Sequence, residues 1–229
     1  VLDNRGGTIF GTIDGGLGND TFLLGVGIET INGGTGTDAI DFRGTPAVVV
    51  SLDDSLSATG HAVGDEYISI ETVFGSFFGD HIVGSTSVNN LRGYDGVDTI
   101  DGGAGNDVLS GGKGADVVTG GAGSDVFLFG ALNEIGDTIT DFSAGAGNDD
   151  VLQLRGSSLG GGLALGVLAA TAFQSRADNV AQDATDRFIF RTTDRTVWFD
   201  VDGNGSRGPV LVADLQAGAV FDRFDIVII

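Results

Sequence analysis

Cysteine is absent from this chain of 229 residues, which excludes disulfide bonds, a thiol nucleophile and metal sites built on thiolates. Proline occurs only 2 times, too rarely for collagen or a proline-rich linker. No apolar run reaches the roughly 18 residues that a membrane-spanning helix needs, so we expect no membrane insertion. Residues 1–7 also lack the basic and apolar regions of a signal peptide.

Basic residues are scarce as well, 11 against 32 acidic ones, which gives a formal net charge of −21. Nucleic-acid-binding proteins carry basic patches, and anionic membranes attract basic segments, so neither is an expected partner. The charge is uneven: residues 1–153 contain 23 acidic and 4 basic residues, whereas residues 154–229 contain 9 and 7. We therefore expect cations as partners and two differently built regions.

Glycine, with 41 residues, exceeds its usual share of about 7 %, and much of it lies in a repeat. Three adjacent nonapeptides follow the pattern GGxGxDxUx, where U is a large apolar residue: GGAGNDVLS at 102–110, GGKGADVVT at 111–119 and GGAGSDVFL at 120–128. Two further full copies are GGLGNDTFL at 15–23 and GGTGTDAID at 33–41.

Weaker copies keep the same frame. They are GSFFGDHIV at 75–83, GSTSVNNLR at 84–92 with Asn89 at the Asp position, and GYDGVDTID at 93–101. Glu29 and Glu71 replace Asp in two more segments. The frame is interrupted once. We therefore expect a first repeat block at 1–41, an insertion at 42–65, a second block at 66–128 and a C-terminal capping and secretion region at 129–229.

One nonapeptide supplies a turn and a short strand, so two of them make one coil of a flattened helix. Turns 18 residues apart then stack about 4.8 Å from each other. Two carboxylates at that distance repel by roughly 3 kcal/mol at an effective dielectric of about 20, and a cation between them reverses the sign. The predicted pairs are Asp20–Asp38, Asp80–Asp98, Asn89–Asp107, Asp98–Asp116 and Asp107–Asp125, with Glu71–Asn89 and Gly11–Glu29 as weaker candidates.

In these nonapeptides the chain resembles the RTX (haemolysin-type calcium-binding repeat) family, whose modules form C-terminal β-rolls of proteins exported by type I secretion. The resemblance implies an all-β fold, a parallel β-roll followed by a β-sandwich-like cap, with Ca²⁺ as its ligand. The residues it implies as calcium ligands are Asp20, Asp38, Asp80, Asn89, Asp98, Asp107, Asp116, Asp125 and the turn glycines Gly16, Gly18, Gly34, Gly36, Gly96, Gly103, Gly105, Gly112, Gly114, Gly121 and Gly123.

The resemblance also implies a function and a location. We expect a non-catalytic module, recognised by the type I secretion machinery, of a surface or extracellular protein of a Gram-negative bacterium, such as an S-layer protein or adhesin. The alternative is the accessory module of a secreted enzyme (serralysin-like protease, lipase or alginate epimerase) whose catalytic domain is absent from this sequence. Further partners that this interpretation allows are a second copy of the chain and an upstream domain of the parent protein.

The region after Leu128 reads as further strands, at 137–142, 151–154, 188–190, 197–199, 210–212 and 224–229. Residues 163–173 fit either a short helix or an apolar loop. The segment DVDGNG at 200–205 begins like an EF-hand loop, but Leu211 stands where the loop needs Glu. We therefore favour a hairpin turn there over a calcium site.

The GxSxG and HExxH catalytic motifs are incomplete or absent in this chain. Residues 156–160 match GxSxG, but a hydrolase of that type needs a His after its Ser, and His61 and His81 both precede it. No HExxH pattern is present, so the sequence contains no zinc-protease helix. We therefore do not expect this chain to be an enzyme.

Overall fold

The structure is a computed structural model that describes residues 1–3, 10–25, 27–53, 56, 58–145, 148–160 and 162–229. Residues 4–9 of the predicted first repeat block lie outside the described residues. The strands are β1 (Leu2–Asp3), β2 (Phe10–Asp14), β3 (Thr21–Leu23), β4 (Ile28–Asn32), β5 (Ala39–Asp41), β6 (Val49–Ser51), β7 (Glu66–Ile68), β8 (Thr72–Phe74), β9 (His81–Ser85), β10 (Asn90–Asp95), β11 (Thr99–Gly103), β12 (Val108–Lys113), β13 (Val117–Thr119), β14 (Val126–Phe129), β15 (Asp137–Ile139), β16 (Ala144–Gly145), β17 (Asn148–Asp149), β18 (Val151–Leu154), β19 (Gly166–Val167), β20 (Phe173–Arg176), β21 (Phe188–Arg191), β22 (Thr196–Phe199), β23 (Val210–Leu215) and β24 (Ile226–Ile228). Short helical turns occur at α1 (Gly156–Leu159) and, as 3-10 turns, at Gly60–Ala62, Ala170–Ala172 and Arg223–Asp225.

Alternate nonapeptides build one 10-stranded sheet. Its order is β1-β3-β5-β8-β10-β12-β14-β18-β24-β19, and every neighbouring pair is parallel except the last. Asn90 faces Val108 in this sheet, so one repeat of two nonapeptides moves the chain across by one strand. This is the coil that the spacing of the repeat predicts.

The other nonapeptides form the opposite face of the roll. There the strand order is β2-β4-β7 in a 3-stranded sheet and β20-β21-β22-β23-β15-β13-β11-β9-β6 in a 9-stranded sheet. Pairing is parallel from β6 through β23. Apolar side chains of both faces belong to one hydrophobic core, so the short strands are stabilised by packing between the faces rather than by their own length.

The two repeat blocks share one sheet. β5 of the first block pairs directly with β8 of the second, with Ala39 opposite Thr72. On the other face, β6 comes from the insertion at 42–65 and pairs with β9, while β7 pairs with β4. The insertion therefore adds a strand to one face while the other face runs on without interruption.

The large apolar residue of each nonapeptide points into the core. Ten residues at this position are buried: Phe22, Ile31, Ile40, Val73, Ile82, Leu91, Ile100, Leu109, Val118 and Phe127. Ile13, at the same position of the first copy, is partly buried. Each coil therefore contributes two such side chains to a narrow interior, which explains why the repeat needs only one large apolar position in nine residues.

The C-terminal region continues the same two faces. β18 and β24 extend the first sheet, and β15 and β23 extend the second. β21 and β22 form the predicted antiparallel hairpin, with Phe188 opposite Phe199, whereas residues 163–173 contain a two-residue strand and a 3-10 turn instead of an α-helix. The predicted fold class, an all-β parallel β-roll followed by a sandwich-like cap, is confirmed.

We expect Ile100→Ala to lower the free energy of unfolding in calcium-containing buffer by about 2–5 kcal/mol, because it leaves a cavity in a narrow core. Val97→Ala is the matched control, since Val97 lies on the adjacent turn and its side chain is 67 % exposed; it should cost less than about 0.5 kcal/mol. Urea unfolding followed by circular dichroism measures both. Equal losses would contradict the inward placement of this position.

Candidate metal sites

Each full nonapeptide turns through two glycines in the left-handed region of backbone space. In the repeat at 102–110 these are Gly103 (φ 93°) and Gly105 (φ 131°). The same positions are left-handed at Gly16, Gly18, Gly34, Gly36, Gly112, Gly114, Gly121 and Gly123. In the incomplete copy at 93–101, Gly96 keeps this geometry, and Tyr94 adopts φ 80° where the five full copies have glycine, a conformation that is strained for a bulky residue.

Stacked turns approach each other so closely that backbone carbonyl oxygens occupy the positions where Cβ atoms of side chains would lie. The carbonyl oxygen of Gly103 lies where a Cβ at Gly121 would be, and that of Gly105 lies where a Cβ at Gly123 would be. The first glycine of a repeat faces both a carbonyl and a carboxylate, since a Cβ at Gly102 would lie 2.5 Å from the carbonyl oxygen of Gly120 and 2.6 Å from Oδ2 of Asp107. The glycines therefore allow carbonyl and carboxylate oxygens to gather in each turn.

The repeat carboxylates stack in the five pairs that the spacing of the repeat predicts. In each pair, Oδ1 of the later residue accepts a hydrogen bond from the backbone N–H of the earlier one. These N···O distances are 2.7 Å for Asp20–Asp38, 2.7 Å for Asp80–Asp98, 2.7 Å for Asn89–Asp107, 2.8 Å for Asp98–Asp116 and 2.8 Å for Asp107–Asp125. Of the weaker candidates, Asn89 Nδ2 lies 3.4 Å from the Glu71 carbonyl oxygen, and Gly11 is in register with Glu29.

Three further carboxylates extend this stacking, and the fixed spacing did not predict them in this role. Glu71 Oε2 accepts the N–H of Asp38 (2.8 Å), Asp137 Oδ1 that of Asp116 (3.1 Å) and Asp150 Oδ1 that of Asp125 (2.9 Å). These partners are 33, 21 and 25 residues apart. The sequence does carry a signal for two of them, because Asp137-Thr-Ile and Asp150-Val-Leu repeat the Asp-x-U pattern of the nonapeptides.

Two columns of stacked polar side chains result. The first carboxylate column consists of Asp20, Asp38, Glu71, Asn89, Asp107, Asp125 and Asp150, and the second of Asp80, Asp98, Asp116 and Asp137. Both columns run across the boundary at Leu128 into the C-terminal region. The C-terminal region therefore continues the polar stacking of the roll as well as its sheets.

The second oxygen of many column carboxylates is buried without a hydrogen-bond donor. This holds for Oδ2 of Asp38, Asp98, Asp107, Asp116 and Asp125, and each of these residues is at most 1 % exposed. A buried, unpaired carboxylate oxygen carries a large desolvation cost. The columns therefore require either protons or cations to be stable.

The pKa values of the column carboxylates reflect the same cost of burying charge. Burial, together with repulsion from neighbouring carboxylates, raises the pKa of Asp98 to about 7. Burial also raises the pKa of Asp107 to about 6 and that of Asp137 to about 8. The same cause raises the pKa values of Asp80, Asp116, Asp125 and Asp150. The ionised columns are thus unfavourable without positive charge beside them.

The chemistry of the turns fits calcium. Ca²⁺ takes about six to eight oxygen ligands, including carboxylates and backbone carbonyls, and the turns offer oxygens of both kinds. Among the described residues, no three or more His, Cys, Asp or Glu side chains come together as a metal-binding group. Each stacked pair of carboxylates therefore needs turn carbonyls to complete a coordination shell, and the glycine turns bring these carbonyls close.

The segment at 200–205 connects β22 to β23, which are antiparallel, so it is part of a hairpin connection as predicted. Asp200 Oδ1 accepts the N–H of Asp202 (3.1 Å), and Asp202 Oδ2 accepts the N–H of Ser206 (3.1 Å). These carboxylates thus organise the turn itself. The GxSxG segment at 156–160 forms the single turn α1, and Ser158 is exposed there.

We expect opposite pH dependences with and without calcium. Without calcium, the raised pKa values of the column carboxylates stabilise the fold in which these groups are protonated. This stabilisation is complete near pH 4, the pKa of an Asp side chain in the unfolded chain, and it is lost as the pH rises toward 8. With calcium, protons compete for the ligands, so stability should rise with pH. Circular dichroism at pH 5 and pH 8, in calcium and in metal-free buffer, gives the folded fraction in each condition and therefore both slopes. Slopes of the same sign in both buffers would contradict this account.

A family model agrees with the geometry of the turns. This model, described as the RTX calcium-binding nonapeptide repeat (4 copies), matches the chain over residues 12–28, 74–109 and 102–133. The solution structure of the AlgE6R3 subunit of the Azotobacter vinelandii mannuronan C5-epimerase is 27% identical with a TM-score of 0.43, and the match covers 66% of this chain and 78% of that chain. No curated protein matches. The chain therefore contains RTX nonapeptide repeats, which bind Ca²⁺.

Proposed function

We propose that this chain is a non-catalytic module that folds on calcium outside the cell and gives structure to a surface or extracellular protein. The observation that carries the proposal is the pair of carboxylate columns, in which buried oxygens such as Oδ2 of Asp98 and Asp107 have no donor. Ionised carboxylates placed in this way oppose folding until positive charge joins them. An S-layer protein or an adhesin is the kind of parent that such a module would serve.

The proposed ligands are the carboxylates of stacked pairs and the carbonyls of the turns between them. Asp98, Asp107, Asp116 and Asp125 would hold ions along the second block, with Asp20 and Asp38 in the first. Carbonyl oxygens of the left-handed glycines, for example Gly103 and Gly105, would complete each shell. Bound Ca²⁺ supplies the positive charge that the columns lack. The structure adds Glu71, Asp137 and Asp150 as candidates at the positions where the columns continue.

Three features of the chain oppose folding without calcium. The carboxylates repel one another, the glycines lose more backbone entropy on ordering than other residues, and each coil buries only a narrow apolar stripe. Metal-binding domains of this kind often remain unfolded until the metal binds. Extracellular calcium modules bind at roughly 10⁻⁴–10⁻³ M, so the chain would stay open in the calcium-poor cytosol.

An open chain is suited to export. The part of the chain that the structure describes contains no helix long and apolar enough to cross a membrane. In the proposal, the unfolded chain passes the type I secretion machinery of a Gram-negative bacterium and folds where calcium is plentiful. In the folded chain, β24 (Ile226–Ile228) pairs in parallel with β18.

The calcium switch is tested by circular dichroism during a calcium titration. We expect a disordered spectrum in chelator and a cooperative change to a β spectrum as calcium is added. Magnesium at the same concentration is the control, because it demands near-ideal octahedral geometry and gives up its water reluctantly. A β spectrum that chelation leaves unchanged would overturn calcium-dependent folding.

The position of a carboxylate within its column should decide the cost of losing it. Asp107 belongs to two stacked pairs, with Asn89 and Asp125, whereas Asp20 belongs to the single predicted pair with Asp38. Asp107→Asn should raise the calcium concentration at the folding midpoint at least about tenfold, equivalent to about 1.4 kcal/mol. Asp20→Asn should raise it less, and the reverse order would contradict the pairing.

A further inference from the structure

The insertion at 42–65 ends in a carboxylate that meets a buried glutamate of the first block. β7 pairs in parallel with β4, and the register Thr30↔Glu66 places Asp65 beside Glu29. Asp65 Oδ1 accepts the N–H of Glu29 at 2.9 Å, across 36 residues of sequence. Asp65 thus relates to Glu29 as the later Asp of a stacked pair relates to the earlier one, although neither residue belongs to a full nonapeptide.

Glu29 is the more unusual of the two. It is 1 % exposed, and both of its carboxylate oxygens, Oε1 and Oε2, are buried without a hydrogen-bond partner. The carboxyl group that interacts with it is that of Asp65, which carries the same charge. A carboxylate buried in this way is costly unless a cation joins it. Five of the column aspartates have one orphaned oxygen each, whereas Glu29 has two.

We propose that Glu29 and Asp65 bind a calcium ion that fastens the insertion to the first repeat block. The Tyr67 hydroxyl, which donates to Asp65 Oδ2 at 3.2 Å, marks the edge of this site. Since no third acidic or imidazole group joins them among the described residues, carbonyl oxygens or water must complete the shell. The site lies outside the segments that the repeat model matches, and it rests on the proposed function only for the identity of the ion.

The site would give the insertion a structural task. β7 follows directly after Asp65, and its partner β4 carries Glu29. An ion held by both residues would lock β7 against β4, on the face of the roll where the insertion interrupts the regular sheet. The competing explanation is a proton shared between the two carboxyl groups, which would make the same contact without metal.

Terbium luminescence separates these explanations, because Tb³⁺ takes the oxygen ligands of calcium and emits when a nearby aromatic ring is excited. The chain has 2 tyrosines and 1 tryptophan, so Tyr94→Phe with Trp198→Phe leaves Tyr67 as the only efficient sensitiser. In the full chain with these two changes, we expect strong terbium emission that Glu29→Gln largely removes. Glu66→Gln is the matched control: this exposed neighbour accepts from Thr30 Oγ1 at 3.2 Å and should leave the emission unchanged.

Calcium counting by mass spectrometry after dialysis gives the second readout. Glu29→Gln and Asp65→Asn, each with an otherwise native sequence, should each bind about one ion fewer than the parent, while Tyr67→Phe should keep the full number. An unchanged count in either carboxylate variant that still folds, or emission that survives Glu29→Gln, overturns the site in favour of a shared proton. A parent chain that binds no calcium at all refutes the proposed function, so the two failures are distinguishable.

Discussion

Repulsion between buried carboxylates is the constraint on which the rest of this structure depends. Parallel coils place equivalent turns one strand spacing apart, so any acidic residue in the repeat meets its own copies. The backbone N–H groups of each coil satisfy one oxygen of the next carboxylate, as in the bond from Asp98 N to Asp116 Oδ1. The second oxygen, Oδ2 of Asp116, is buried without a donor. In the proposed function that oxygen binds a cation, so strand pairing and ion binding would depend on the same residues.

The glycines connect this electrostatic requirement to the backbone. A turn whose carbonyls lie against the next turn has no room for side chains, as the contacts between Gly103 and Gly121 show. The same close approach that collects oxygen ligands also removes apolar surface from the turns. Stability must then come from the ions and from one large side chain per nonapeptide, which makes folding sensitive to the surroundings of the protein rather than to its sequence alone.

Periodicity determined what the sequence could predict. The inward position of Ile100 and the stacking of Asp98 on Asp116 follow from a spacing that is local and regular. Glu71 under Asp38, and Asp137 and Asp150 at the end of the columns, could not be placed in this way, because the connections between those coils have other lengths. The pairing of β18 with β24 joins residues far apart in the chain, and no repeat encodes it.

Asn89 makes one coil of the roll different from the others, because its side chain is uncharged. Its amide oxygen accepts the backbone N–H and the hydroxyl of Ser85, at 2.7 Å and 3.2 Å, and its amide nitrogen lies 3.4 Å from the carbonyl oxygen of Glu71. This side chain is therefore satisfied by protein groups and carries no charge. Asn89 therefore forms a neutral position inside the first carboxylate column. The carboxylates of Glu71 and Asp107 on either side of it are two strand spacings apart, so they repel each other less than two adjacent aspartates would.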